Sequence, residues 1–468
     1  MSENLYEILA ARFPADRARP CFLLSDGSAI SYGQLETAAG RIAALLRERG
    51  VEVGDRVVVQ AEKSPQAVML YLAVLKLGAV YVPLNTAYTA KEIEYFVGDA
   101  EPRLVVTDAV ALERDSQAFA PCGACAPRQA SDIASIIYTS GTTGRSKGAM
   151  LSHGALADNG FALTRAWRFT DEDVLLHALP IFHVHGLFVA LHCVFLSGAA
   201  MVWLPKYEDD AVVLGLARST VMMGVPTFYT RLLANPAFTR DAAAHMRLFV
   251  CGSAPLLPST FAEFEARTGQ RILERYGMSE AVIITSNPID GERVAGSVGY
   301  PLPGVDLRIS GGDTGVIEIK GPSVFTGYWR NPQKTAEEFT ADGWFITGDV
   351  GRRDPDGRVW ISGRAKDLII SGGFNVYPKE VELLIDELEG VVESAVIGVP
   401  HPDFGEAVVA VVIGSADAEA IQEKAREGLA AFKTPKRVFM VADLPRNAMG
   451  KVQKNLLRET YSGTFTAT

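Results

Sequence analysis

The feature that most constrains this sequence is a change of period along the chain. From residue 32 into the 260s, helical spacing alternates with short strand-like runs. Leu35, Ala38, Ile42, Leu45 and Leu46 share one helical face, and residues 51–60 then read as a strand. A helix over 65–77 leads in the same way into a strand at 79–82. Such alternation implies parallel-rich sheets covered by helices, so an α/β body is expected. Beyond Gly299 the pattern shortens to strands at 305–309, 315–320 and 358–361, a small β-rich subdomain. After Gly363 it changes again, to strands at 368–370, 392–399, 407–413 and 437–441 with helices at 378–388 and 418–430. The expected division is a large N-terminal body, 1–363, with its β-rich part at about 299–363, and a small mobile α+β cap, 364–468. The short polar join at 363–367 reads as a hinge.

Composition narrows the function. At 468 residues and 48% hydrophobic, the chain can fill real cores. Its 45 Lys plus Arg against 55 Asp plus Glu give a net charge of −10, which argues against a nucleic-acid partner and leaves anion capture to local basic groups. The start MSENLYEILAARF lacks a basic, then apolar, leader, so a cytoplasmic location is expected. The apolar stretches 69–84 and 187–204 are broken by Lys76 and by His192, Ser197 and Gly198, and read as buried elements rather than membrane spans. Five cysteines suggest no disulfide framework. The CxxC at Cys122 and Cys125 has no second pair to complete a zinc shell, and reads as a loop feature.

The chemistry concentrates after a strand predicted at 134–138. There Thr139, Ser140, Gly141, Thr142, Thr143 and Gly144 lead to Lys147 and Gly148. Glycines let backbone approach an anion, while hydroxyls and a lysine add donors, so this run reads as a phosphate cradle. It is not a Walker A loop, because Ser146 precedes Lys147 and Gly148 follows it.

The string YTSGTTGRSKG at 138–148 resembles the phosphate loop of the adenylate-forming superfamily: acyl-CoA synthetases, luciferases and peptide-synthetase adenylation domains. Further matches follow in the family's order: LPIFH at 179–183, GSAP at 252–255, RYGMSE at 275–280, TGD at 347–349, GRAKD at 363–367 and PRNAMGK at 445–451. The resemblance covers nearly the whole chain. It implies ATP, CoA and Mg²⁺, and a reaction in which a carboxylate attacks the α-phosphate before transfer to a thiol. It also implies roles. Lys451 would bridge carboxylate and α-phosphate, and Glu280 with Thr139 would hold Mg²⁺. Tyr276 would stack on adenine against the small backbone of Gly252, Ser253, Ala254 and Pro255. Arg275, Gly277, Met278 and Ser279 would complete the nucleotide site, and Asp349 would accept the ribose hydroxyls with Arg364 beside it. Lys366 would be the hinge, and Gly372 and Gly373 would line a pantetheine tunnel. Reversible modification of Lys451 by a lysine acyltransferase and a deacylase would silence the first step.

Substrate identity rests on fewer residues. Phe182 is followed by His183 rather than the Asp typical of amino-acid-activating domains. The segments HALPIFHVHGLFVA, HMRLFVCGSAPLL, ERYGMSE and GGFNVYPKEVE are similar to the malonyl-CoA synthetases of the superfamily. That resemblance places two carboxylate-binding arginines at Arg247 and Arg293, with His183 closing the pocket and His185 adding a donor. Arg247 opens the strand that ends at Gly252, ~13 Å below the nucleotide, and is expected at the pocket floor. Malonate is the expected acid, and methylmalonate an acceptable one. Another short-chain or aromatic acyl-CoA synthetase is the alternative. A non-catalytic nucleotide-binding relative is disfavoured by the presence of both Lys451 and Glu280. Ser279 and Ala281 stand where relatives often have threonines, and the stretch from 105 to 131 is short.

Overall fold

The computed structural model describes residues 3–139, 146–446 and 451–465. Two compact units emerge, residues 1–307 with 319–345, and residues 308–318 with 346–468. By its contacts, most of the Phe345–Arg353 and Val359–Arg364 hairpin belongs with the C-terminal residues, upstream of the hinge expected at 363–367.

In the larger unit, six parallel strands form the centre of a sheet, in the order Leu273–Tyr276, Leu248–Cys251, Val221–Gly224, Val174–His177, Ala200–Trp203 and Pro20–Leu23. Antiparallel strands flank them at both edges. The VMMG and LFVC strands are buried throughout, as expected when helices cover both faces. Phe249, Phe264, Phe238 and Tyr229 interlock there edge to face, with Phe249 and Phe264 centroids 4.9 Å apart. A second sheet runs Leu104–Val106, Arg56–Val59, Val80–Pro83 and Ile133–Thr139 in parallel, then turns back antiparallel through Lys147–Ser152.

The helix Pro65–Lys76 shows why the apolar run at 69–84 is a core element. Ser64 caps it through the Ala67 N–H, proline starts it, and residues 67 to 76 are all buried. Lys76 ends it by donating to Gly123 O at 3.2 Å and lying 4.4 Å above the Tyr6 ring. No described helix is long and apolar enough to cross a membrane. The Lys76 contact also accounts for the CxxC stretch. Cys122 N donates to Gly40 O and Ala126 N to Lys76 O, so the loop straps two helices together. All five cysteines are free thiols, and burial pushes Cys125 up to about 12.

In the smaller unit, Val391–His401 and Gly405–Gly414 pair antiparallel over ten positions, Arg437–Val441 adds in parallel, and Ile369–Ser371 with Phe374–Val376 completes the sheet. Val381, Ile385, Val396, Val408 and Ile421 fill its core.

Glu274 is a polar group buried in the central sheet. Burial pushes its pKa up to about 8, against hydrogen bonds from the Gly296 and Leu256 amides. A carboxyl that keeps its proton when folded but loses it near 4.5 when unfolded favours the folded state most at low pH. Its contribution falls as pH rises from about 4.5 to about 8. Glu274→Gln keeps an acceptor without the charge. Its denaturant midpoint, measured from pH 5 to 8, is expected to fall less with rising pH than that of the parent.

Candidate active site

Parallel strands present their C-terminal ends as a natural binding edge, and Thr139, Gly252 and Tyr276 stand at or just after such strand ends. Ile133–Thr139 and Lys147–Ser152 pair as a hairpin, with Thr139 opposite Lys147. Ser140, Gly141, Thr142, Thr143 and Gly144 lie outside the described residues. The hairpin's far shoulder is held by Tyr95, whose hydroxyl donates to Ser146 O at 2.7 Å. Burial and the Lys334 ammonium lower the Lys147 pKa, while Glu338 and Glu280 oppose them.

After the Leu273–Tyr276 strand the chain makes a close turn. A Cβ on Gly277 would lie 2.0 Å from Val282 O, so only glycine fits. The turn ends at Glu280, which is 6% exposed, with one carboxylate oxygen accepting from Tyr328 Oη at 3.0 Å. Tyr276, Met278 and Ser279 are partly exposed along this turn. Among the described residues there is no cluster of three or more metal-ligating side chains. One buried carboxylate beside a hydroxyl-bearing hairpin suits Mg²⁺, which keeps waters and takes its other ligands from substrate phosphates.

Gly252 follows its strand directly and has a use the sequence did not reveal. A Cβ there would fall 2.5 Å from Arg275 Cζ and 2.6 Å from Nε, so the guanidinium lies against the Gly252 backbone. Arg275 is 5% exposed, and its Nε and Nη2 have no hydrogen-bond partner among the described residues. Burial draws its pKa down to about 10, and the nearby Cys251 and Tyr229 only partly offset this. Ser253, at φ +72°, turns its hydroxyl to 3.3 Å from His185 Nδ1, while Ala254 and Pro255 are exposed.

His183 and His185 open onto the same edge. His185 starts a π-helical turn, His185–Ala190, a form that often marks functional sites. Its backbone N–H donates to His183 Nδ1 at 3.3 Å, and its own Nε2 is buried without a partner among the described residues. Burial, then Arg275, His183 and His177, push its pKa well below the usual histidine value, so it is neutral. Lys63, absent from the sequence reading, sits behind this group. It donates to His177 O at 2.9 Å and Leu204 O at 2.6 Å, with its ammonium 4.4 Å above the Trp203 ring. Burial pushes the Lys63 pKa well below the usual lysine value, and among the described residues no acid pairs with Lys63 or with Arg275 at this edge.

Arg247 and Arg293 do not join them, which corrects the expected pocket floor. Arg247 lies at the opposite end of its strand, where Asp173 takes Nε at 2.6 Å and Nη2 at 2.7 Å. The Trp167 and Arg168 carbonyls accept its other bonds. Burial alone would raise the Asp173 pKa, but Arg247, the Thr170 amide and Thr220 outweigh it and hold the group ionised. Arg293 donates to Pro288 O, Arg271 O and Ile289 O. The two arginines do share one pocket of about 320 Å³, with Arg271 and Gln270, but at the sheet's N-terminal edge.

In the smaller unit, Asp349 is 4% exposed and pairs with Arg364 Nε at 2.7 Å across adjacent strands. Lys366 lies in a 3₁₀ turn, Ala365–Asp367, with its pKa lowered by burial. Gly372 and Gly373, at φ +59° and +83°, form the tight turn between Ile369–Ser371 and Phe374–Val376. Both need left-handed backbone, and a Cβ on Gly373 would meet nothing within 4 Å. Lys451 is exposed, next to a bridge between Arg446 and Val452.

Residues 7–329 match the AMP-binding enzyme family, and residues 380–451 match the AMP-binding enzyme C-terminal domain. The chain is 34% identical to a malonate–CoA ligase of Arabidopsis thaliana, over 98% of this chain and 89% of that protein. It is 35% identical to a mitochondrial malonate–CoA ligase of Mus musculus, over 89% and 84%. The ATP-bound crystal structure of MatB from Rhodopseudomonas palustris superposes with a TM-score of 0.96 at 50% identity, covering all of both chains. The chain thus belongs to the AMP-binding enzyme family and is an acid–thiol ligase, joining a carboxylic acid to CoA.

Proposed function

We propose that this ligase converts malonate, ATP and CoA into malonyl-CoA, AMP and diphosphate through a malonyl-AMP intermediate. The observation that carries the reading is the Arg275 guanidinium, buried against Gly252 with Nε and Nη2 unpartnered among the described residues. Such a group is costly unless something anionic completes it. Its fork suits a second, non-reacting carboxylate. Bond lengths of ~1.5 Å put the two carboxyl carbons of malonate only about 2.5 Å apart, so the distal receptor must sit beside the reacting centre. Arg275 meets that condition, whereas Arg247 lies a strand of about 13 Å away. A buried arginine also opposes the short-chain or aromatic alternative, since a monocarboxylic acid brings no second charge to complete it. An α-methyl leaves both carboxylates intact, so methylmalonate remains an acceptable substrate.

The other roles follow from charge. The attack of a carboxylate on the α-phosphate accumulates negative charge, which Lys147 and Lys451 would offset, and Mg²⁺ on Glu280 and Thr139 would neutralise the phosphates. His183 closes the acyl pocket and neutral His185 adds a donor. Tyr276 stacks on adenine, and Asp349 receives the ribose, with Arg364 fixing its carboxylate. Rotation of the cap at Lys366 then brings Gly372 and Gly373 to the pantetheine chain, a reading supported by the open backbone of that turn. The exposure of Lys451 leaves it accessible to a lysine acyltransferase and deacylase.

CoA-dependent AMP release should be strong with malonate, weaker with methylmalonate, and slight with acetate or coumarate; equal rates with acetate would overturn the dicarboxylate reading. Arg275→Met is expected to cut malonate kcat/KM by roughly 100-fold or more while leaving the ATP KM near the parent value. Arg247→Ala gives the opposite pattern. Malonate KM holds, but stability falls by about 3 kcal/mol, the low end for a broken pair because the guanidinium is one-third exposed. Lys451→Ala should slow malonate-dependent diphosphate exchange by ~10²–10³.

A further inference from the structure

We infer that Tyr328 is a positioning residue for the metal–phosphate site: it aligns the Glu280 carboxylate through its hydroxyl and the Lys147 ammonium through its ring. The inference rests on the reading of Glu280 as the metal carboxylate. Tyr328 is 5% exposed, and its Oη donates to Glu280 Oε1 at 3.0 Å. The same ring lies 5.1 Å from Lys147 Nζ. One side chain therefore touches the carboxylate expected to hold the cation and the ammonium expected to meet the phosphates. These two groups come from distant parts of the sequence.

Tyr328 is itself fixed on every side. It bridges antiparallel to Ala149, and the flanking backbone adds Met150 N to Gly327 O at 3.0 Å and Trp329 N to Gly148 O at 2.7 Å. Its own N–H donates to Thr335 Oγ1, and Phe325 meets its ring edge to face at 4.9 Å. Phe325 N in turn donates to Glu280 O at 2.7 Å. The segment from 325 to 329 thus ties the return strand of the phosphate hairpin to the end of the Glu280 turn. A phenol donating to one carboxylate oxygen fixes the direction of the other, which is what a hard cation with strict geometry requires. The ring face gives Lys147 an electron-rich surface that adds to its ion pair with Glu338 at 4.0 Å.

The two contacts can be separated by two variants. Tyr328→Phe keeps the ring and loses the hydroxyl, whereas Tyr328→Leu loses both. Mn²⁺ serves as the probe, titrated against the full-length protein with ATP but without malonate or CoA and followed by electron paramagnetic resonance, so that no turnover is involved. Tyr328→Phe is expected to weaken Mn²⁺ binding about tenfold. Its binding of metal-free ATP, measured by calorimetry in chelator, should be unchanged. Tyr328→Leu should weaken both. Thermal unfolding of the nucleotide-free proteins monitors folding, and malonate KM extrapolated to saturating metal should not move in Tyr328→Phe. Mn²⁺ affinity within twofold of the parent in Tyr328→Phe would overturn the inference. Glu280→Gln is the control. If it too leaves Mn²⁺ binding unchanged, the reading of Glu280 as the metal carboxylate fails, and the inference falls with it.

Discussion

A guanidinium held in a protein interior without a carboxylate is the constraint around which this binding edge is organised. Arg275 reaches its position because Gly252 has no side chain, and it keeps its charge although burial has drawn its pKa down to about 10. Among the described residues no carboxylate pairs with it. The histidine beside it is forced neutral, and the lysine behind it is bound to carbonyls. The result is a buried guanidinium with unpartnered donors at the C-terminal end of a parallel strand, in surroundings where a charge interacts more strongly than in water. On the proposed reading, such a group favours a compact acid with a second negative charge.

The phosphate side is built differently, by pairing rather than by an unmet charge. The hairpin that carries Thr139 and Lys147 is braced by Tyr95 on one shoulder and by the 325–329 segment along its return strand. The Glu280 turn depends on a glycine that nothing else could replace and on Tyr328 at its acid. Binding energy spent on ATP can therefore go into chemistry rather than into ordering the site.

Much of this was legible beforehand. The period change marked the body and the cap. The strands expected at 134–138 and 437–441 appear as Ile133–Thr139 and Arg437–Val441, and the helix expected at 65–77 as Pro65–Lys76. Local pattern suffices there because each element is set by the spacing of its own apolar residues. The partners of the candidate acyl-site arginines were not legible in that way. Arg247 and Arg293 do reach a common cavity, but Asp173, 74 residues from Arg247 in the chain, had already taken the fork. For Arg275, no spacing rule shows that the glycine ending a neighbouring strand opens the space its guanidinium fills.

The sequence by itself determined the family, the order of the two bodies and the residue types available to the chemistry, because motifs and periodicity are properties of neighbouring positions. Only the tertiary structure decided which arginine keeps buried nitrogens unpartnered among the described residues, which is paired, and which tyrosine links carboxylate to lysine. Those outcomes depend on what distant segments place within about 3 Å of a charged atom, and the energy of a buried charge is set by that environment rather than by the residue's name.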